Sequence, residues 1–285
     1  MKQAIFYIFG IMLIFAAYLT VGDEVMKKTQ NNTREAMPAI KIEEPKEDQK
    51  TVAQTSTTPV KSVHLPILMY HYIRTVTDLR DPVGIDLSVP ASMFEEQMKY
   101  LDNAGYTTIT LDDLVATWKG EKTLPKKPII MTFDDGYEDL YTIVFPILKK
   151  YNLRATAYII AGFIDKPHYL TSEQLKELSQ SPLVTIAAHT MQHPNLRNTT
   201  GSKLIDEVMG SKKWLENFTE KTILHFAYPS GQYNKETIRA VEKAGYITSV
   251  TTEPGEDHPS TKPFAITRVR IRGAVTLEAF QKLLP

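Results

Sequence analysis

Along most of this chain, short apolar runs built like buried strands alternate with amphipathic helical stretches, and that alternation constrains the fold more than any other feature. Strand-like runs fall at 66–73, 107–110, 128–133, 155–160, 184–188, 224–228, 247–251 and 266–271. Helical patterns lie between them at 93–104, 111–118, 140–151, 172–178, 203–218 and 235–243, and a last one follows at 277–284. Ser92 is placed to cap the first helix, Gly105 to stop it, and Pro146 to bend the third. Strand-then-helix repetition implies parallel strands joined by outer helices. No dinucleotide-type glycine fingerprint interrupts the pattern. The expected fold is therefore α/β, a distorted (β/α) barrel of about seven parallel strands, whose functional side chains collect at the C-terminal strand ends.

Ahead of the barrel pattern, residues 4–22 carry no charge, with Lys2 before them and Asp23 and Glu24 after. A run of that length is about long enough to cross a bilayer as a helix, and its flanking charges predict an inside N-terminus and an exported remainder. Residues 1–24 are read as a signal anchor or a cleaved signal peptide, which places the protein on the outer face of the cytoplasmic membrane or in the secreted fraction. Residues 25–64 are polar, charged and poor in aromatics. Such a stretch buries too little apolar surface to offset the entropy of ordering, so it reads as a disordered tether. The globular domain is expected at 65–285.

Lys plus Arg equals Asp plus Glu, at 33 each, which removes the electrostatic case for a nucleic-acid partner. No feature calls for a protein partner. Cysteine is absent, so disulfides, thiolate metal sites and a Cys nucleophile are excluded, and any metal must be held by His, Asp or Glu.

Three polar clusters follow apolar runs. Thr132-Phe133-Asp134-Asp135-Gly136-Tyr137 places two acids at a strand end, where adjacent side chains point apart, and Gly136 permits a sharp turn. It reads as a site with one carboxylate on a metal and one on substrate, or as a solvated Asp-Asp-Gly turn. His189-Thr190-Met191-Gln192-His193-Pro194 brings two of the chain's seven histidines to another strand end, either as a paired site or as two unrelated surface residues. Two imidazoles and a carboxylate with open positions for water form a hydrolytic metal arrangement. Phe226-Ala227-Tyr228-Pro229-Ser230-Gly231 forms a turn able to present backbone N–H groups, a weak signal by itself.

Together these clusters resemble the polysaccharide deacetylases, carbohydrate esterases related to chitooligosaccharide deacetylase, over roughly residues 65–285. Thr-Phe-Asp-Asp-Gly and His-Thr-x-x-His-Pro match the family's first two motifs in full. The resemblance implies Asp134 as general base and Asp135, His189 and His193 as ligands of a divalent metal, Zn2+ first, with Co2+ or Ni2+ as alternatives. Two departures stand out. Ala227-Tyr228-Pro229-Ser230 occupies the place of the family's Arg-x-Pro-Tyr, so the arginine that braces the base is missing. The late Leu-x-x-His that supplies the acid is also absent, but Leu68-Met69-Tyr70-His71 occurs early. This arrangement is similar to the circularly permuted branch containing biofilm poly-N-acetylglucosamine deacetylases, and it implies His71 as general acid.

Arg268 and Arg270 share one face of their strand. Either one of them replaces the missing brace, or both are charges on an edge strand. Ser230, through its backbone N–H, Tyr228, through its ring, and Arg268 complete the residues expected around substrate and oxyanion; Tyr228, Tyr137 and Trp214 are each read either as a ring that packs on a sugar or as core. The implied reaction is removal of N-acetyl groups from N-acetylglucosamine units of a cell-surface or extracellular polysaccharide. Competing readings are an amidase or esterase with a non-glycan substrate, and a membrane-tethered glycan-binding protein without activity, which the missing arginine favours.

Overall fold

Seven parallel strands close into a barrel in the computed structural model, which describes residues 58–285. In chain order the strands are β1 (Ser62–His64), β2 (Ile67–Tyr70), β3 (Thr107–Thr108), β4 (Pro128–Phe133), β5 (Ala155–Ile159), β6 (Val184–Ala188), β7 (His225–Ala227), β8 (Thr248–Pro254), β9 (Asp257–Pro259) and β10 (Ile266–Arg270). The sheet runs β2-β10-β8-β7-β6-β5-β4, and the parallel pairing of β2 with β4 shuts it. The first barrel strand thus sits between the last strand and β4. β3 pairs with the first two residues of β4.

The two-residue period of each strand decides which side chains enter the barrel. In β4, Ile129, Met131 and Phe133 belong to the apolar layer under the helices, whereas Ile130 belongs to the inner cluster. In β6 the outer set is Val184, Ile186 and Ala188, and Ala187 is inner. Continuing that parity past the strand ends aims Asp134 and His189 inward. The same count sends Phe226 and Tyr228 outward and Ala227 inward.

Element ends differ from expectation in ways that local chemistry explains. The helix expected from 93 is Ala91–Asn103, capped at Pro90, so Ser92 lies in its first turn and is not the cap. Thr110 leaves the strand expected at 107–110 to cap the next helix, exchanging hydrogen bonds with Asp113 in a capping box. Pro146 lacks the N–H that an upstream carbonyl needs, and the preceding residues, Leu140–Val144, adopt a wider π turn before the α-helix Phe145–Tyr151. The expected helix at 203–218 is likewise interrupted, by the π turn Asp206–Gly210 between Gly201–Ile205 and Ser211–Thr219.

Ordered structure also begins before 65. β1 pairs antiparallel with β9, and Val60 N–H donates to the Trp118 carbonyl at 3.1 Å. The last residues assigned to the tether therefore belong to the folded domain. The apolar run at 4–22 and the rest of the tether up to 57 lie outside the described residues. Among the described residues, no helix is long and apolar enough to cross a membrane.

Candidate active site

Asp134 is 3% exposed and takes a fork of two hydrogen bonds from Arg268, Nη1 to Oδ1 and Nη2 to Oδ2, each 2.7 Å. Arg268 Nη1 also donates to Thr132 Oγ1 at 2.9 Å, and Nε donates to the Thr251 carbonyl at 2.8 Å. Burial raises the Asp134 pKa, but the paired guanidinium overrides that and holds the carboxyl well below the usual range. Arg268 is 0% exposed, so it meets Asp134 and not substrate. The expectation of Arg268 among substrate contacts is corrected, and its alternative reading as the brace is the one that the geometry matches.

Asp135 turns away from its neighbour because its φ is +78°, a left-handed conformation that Gly136 continues at +77°. Both imidazoles point Nε2 at one oxygen, Asp135 Oδ1, from 3.3 Å for His189 and 3.4 Å for His193. That oxygen is buried and takes no hydrogen bond. Ligand atoms of the three side chains lie within 4.8 Å of one another. Lone pairs converge there, where a donor would otherwise be expected to meet an acceptor, and the set of one carboxylate and two imidazoles fits a divalent cation.

The tautomer of His189 follows from its other nitrogen. Nδ1 lies 2.8 Å from the Ala227 carbonyl; a carbonyl only accepts, so Nδ1 donates and the neutral ring presents a bare Nε2. Burial and the neighbouring His189 push the His193 pKa down to about 4, so its lone pair is also available at neutral pH. Burial opposes charge on both Asp135 and His189, yet their mutual attraction keeps Asp135 low and His189 high. A cation in the cluster would compete with a proton for His189 Nε2.

His71 continues β2 inward and sits with Nε2 4.0 Å from Asp134 Oδ2. Burial lowers its pKa, with Asp134 and Asp135 pulling the other way. The sequence therefore identified five residues, His71, Asp134, Asp135, His189 and His193, that the barrel brings to one rim.

Tyr228 does not join them. Its outward parity leaves it 0% exposed, donating to the Phe264 carbonyl at 3.0 Å and accepting from Ser249 Oγ at 2.7 Å. The expected stacking of Tyr228 on a sugar is therefore corrected. Ser230 is exposed, with φ +51°, in the turn Pro229–Gly231 at the same barrel end. Gly231 is required beside it, since a Cβ there would lie 2.1 Å from Thr252 Oγ1.

Sequence reading missed Glu207, whose Oε2 accepts from the backbone N–H groups of Met191 and Gln192 at 3.0 and 2.9 Å. Its signal was hidden in an ordinary helical pattern. Tyr137 was among the rings expected near a sugar, but its partner Tyr72 was missed: the two rings stack at 3.7 Å beside His71 and Asp135, with the Arg74 guanidinium 3.5 Å over Tyr72.

Comparison with known proteins gives the family of the chain. The family described as polysaccharide deacetylase matches residues 121–249. YxkH of Bacillus subtilis, assigned to the polysaccharide deacetylases, is 35% identical over 91% of this chain and 88% of its own length. The poly-beta-1,6-N-acetyl-D-glucosamine N-deacetylase of Staphylococcus aureus is 28% identical over 76% of this chain and 80% of its own. Among solved structures, the Streptococcus pyogenes deacetylase PplD, in complex with acetate, superposes with a TM-score of 0.72 at 28% identity, covering 78% of this chain and 99% of that one.

Proposed function

This chain belongs to the polysaccharide deacetylase family, and we propose that it removes acetyl groups from N-acetylglucosamine units of an extracellular polysaccharide in a metal-dependent reaction. The carrying observation is that a forked, ionised Asp134 stands beside the three-ligand cluster of Asp135, His189 and His193. The name of the S. aureus relative supports a poly-N-acetylglucosamine substrate, and the uncharged run at 4–22 supports an exported, membrane-anchored location.

Asp135, His189 and His193 would hold a divalent cation, Zn2+ by the preference of such donors, which would supply Lewis acidity to the site. Asp134 takes the proton of the attacking water. Arg268 occupies one lone pair on each of its oxygens and leaves the others to accept. The guanidinium lowers basicity but fixes the aim and the charge of the carboxylate. The Ser230 turn offers a backbone N–H to the oxygen that becomes negative. His71 gives a proton to the departing nitrogen, which is a very poor leaving group without one. Acetate and a glucosamine unit result.

Arg268 supplies the guanidinium whose absence from the third motif favoured a protein that only binds. The test is acetate release from N-acetylglucosamine oligomers by the purified chain, after chelation and after adding back zinc, cobalt or nickel. Release that vanishes with chelation and returns with metal is expected. A protein with metal bound and no release from any such oligomer would overturn the reading.

A further inference from the structure

The segment that carries both imidazole ligands is strained. Thr190 and His193 have φ of +68° and +56°, and each non-glycine residue in that region costs about 1–3 kcal/mol. Such a loop keeps its shape only if its surroundings over-determine it. Several contacts do so: Ala161 N–H donates to the Thr190 carbonyl and Gly162 N–H to the Met191 carbonyl, both at 3.0 Å, and His193 N–H donates to Thr190 Oγ1 at 2.9 Å. At the tip, between the two ligands, the consecutive N–H groups of Met191 and Gln192 both donate to one atom, Glu207 Oε2.

Glu207 is 5% exposed, and among the described residues no basic side chain pairs with it. A carboxylate so buried is costly unless hydrogen-bonded, and these two N–H groups are its compensation. It sits in the π turn Asp206–Gly210, a local widening that recurs at functional sites. That turn is itself anchored: the Val208 carbonyl accepts from Tyr246 Oη and from Ser211 Oγ, both at 3.0 Å. A continuous path runs from the core through Tyr246 and the π turn to Glu207, and from there to the backbone between His189 and His193.

We infer that Glu207 is a positioning residue for the metal cluster, clamping the ligand loop so that the two imidazoles are pre-set around Asp135 before the cation arrives. This rests on the metal cluster of the proposed function, and its test needs no substrate. Partners of that kind, one shell out from a metal, typically change affinity about 10–100-fold when removed.

Zinc affinity would be measured on the metal-free full chain by competition with a chromophoric chelator, alongside the thermal unfolding of the same metal-free samples. Glu207→Ala and Glu207→Asp, the latter too short to reach both N–H groups, should weaken zinc binding by about 10–100-fold while remaining folded. Glu207→Gln retains an acceptor oxygen and should recover most of the affinity. A role in stability alone would lower the melting temperature and leave zinc affinity untouched. Wild-type affinity in folded Glu207→Ala or Glu207→Asp overturns the inference, and if the Ala variant does not fold, the Asp variant decides. Loss of acetate release with unchanged zinc affinity also counts against it.

Discussion

At the C-terminal end of the barrel, His189 lies 3.3 Å from Asp135 and directs its Nδ1 at the Ala227 carbonyl, 2.8 Å away. At the N-terminal end, His225 lies 3.3 Å from Asp112 with its Nδ1 2.8 Å from Thr248 Oγ1. The two imidazoles are 2% and 1% exposed. As pairs they are almost interchangeable, and what separates them is the company each keeps. Asp135 is buried and shares its oxygen with His193, whereas the Asp112 side chain is 51% exposed in the first turn of the helix Leu111–Lys119. A carbonyl fixes the tautomer of His189, while a hydroxyl can donate or accept and leaves that of His225 open. Beside the first pair stand Asp134, Arg268 and His71. The second pair ties a helix to the barrel floor. A buried histidine–aspartate pair is therefore a structural tie until further ligands and an ionised base converge on it.

The largest effect expected from breaking this contrast is on turnover. Asp134→Asn should cut acetate release by about 10²–10⁴-fold, the usual range for a lost general base, with zinc still bound. Asp112→Asn should leave release within about twofold, as expected for a mostly exposed pair. Comparable activity in the two variants would erase the distinction drawn between the two ends.

Arg268→Met comes next. It strands Asp134 in the interior, and breaking a buried pair from one side costs about 3–5 kcal/mol of stability, measurable by denaturant unfolding. Burial is then opposed only by the weaker pull of His189 and His71, so the carboxyl pKa rises and the acid limb of the rate profile should move to higher pH. An unmoved limb in a folded variant would remove Arg268 from the role of brace.

His189→Ala and His225→Ala sharpen the comparison itself. The first should lose most zinc affinity in a chelator competition and remain folded. The second should lose stability by about 1–3 kcal/mol, as a buried hydrogen-bonded group does, and bind zinc as the wild type does. Equal zinc affinity in the two variants would contradict the assignment.

The smallest effect concerns Asp139, below the site, whose Oδ2 accepts from Ile73 N–H at 2.8 Å and whose pKa is raised by burial to about 6. The folded state prefers its protonated form, so that contribution to stability is complete below the unfolded value of about 3.9 and is lost as pH rises through the folded one. Asp139→Asn keeps the acceptor without the charge. Its melting temperature should exceed that of the wild type by roughly 2–6 °C at neutral pH, a gap that closes in acid. A gap independent of pH would assign the effect to something other than this carboxyl.

The site was legible where chemistry and sequence spacing coincide. Asp134-Asp135-Gly136 and His189 to His193 are contiguous, follow apolar strands, and contain residue types that metals and hydrolysis require. Arg268 was legible only as one of two candidates on a strand, since its partner lies 134 residues away. Tyr228 was misjudged because a single position of strand parity separates the barrel interior from the layer under the helices. Glu207 was invisible because its role depends on a π turn, which shifts the helix register without any change in the polar-apolar pattern.

Local pattern alone determined that this chain alternates strands and helices, which strand ends carry acids and imidazoles, and that a metal would have to be held without sulfur, because hydrophobic period and side-chain chemistry are properties of short segments. Tertiary structure alone decided that β2 closes the barrel against β4, that Arg268 and not Arg270 forks onto Asp134, and that of two matching histidine–aspartate pairs only one gains a second imidazole. Those outcomes depend on distances between segments far apart in the chain, and barrel closure sets such distances while local sequence does not.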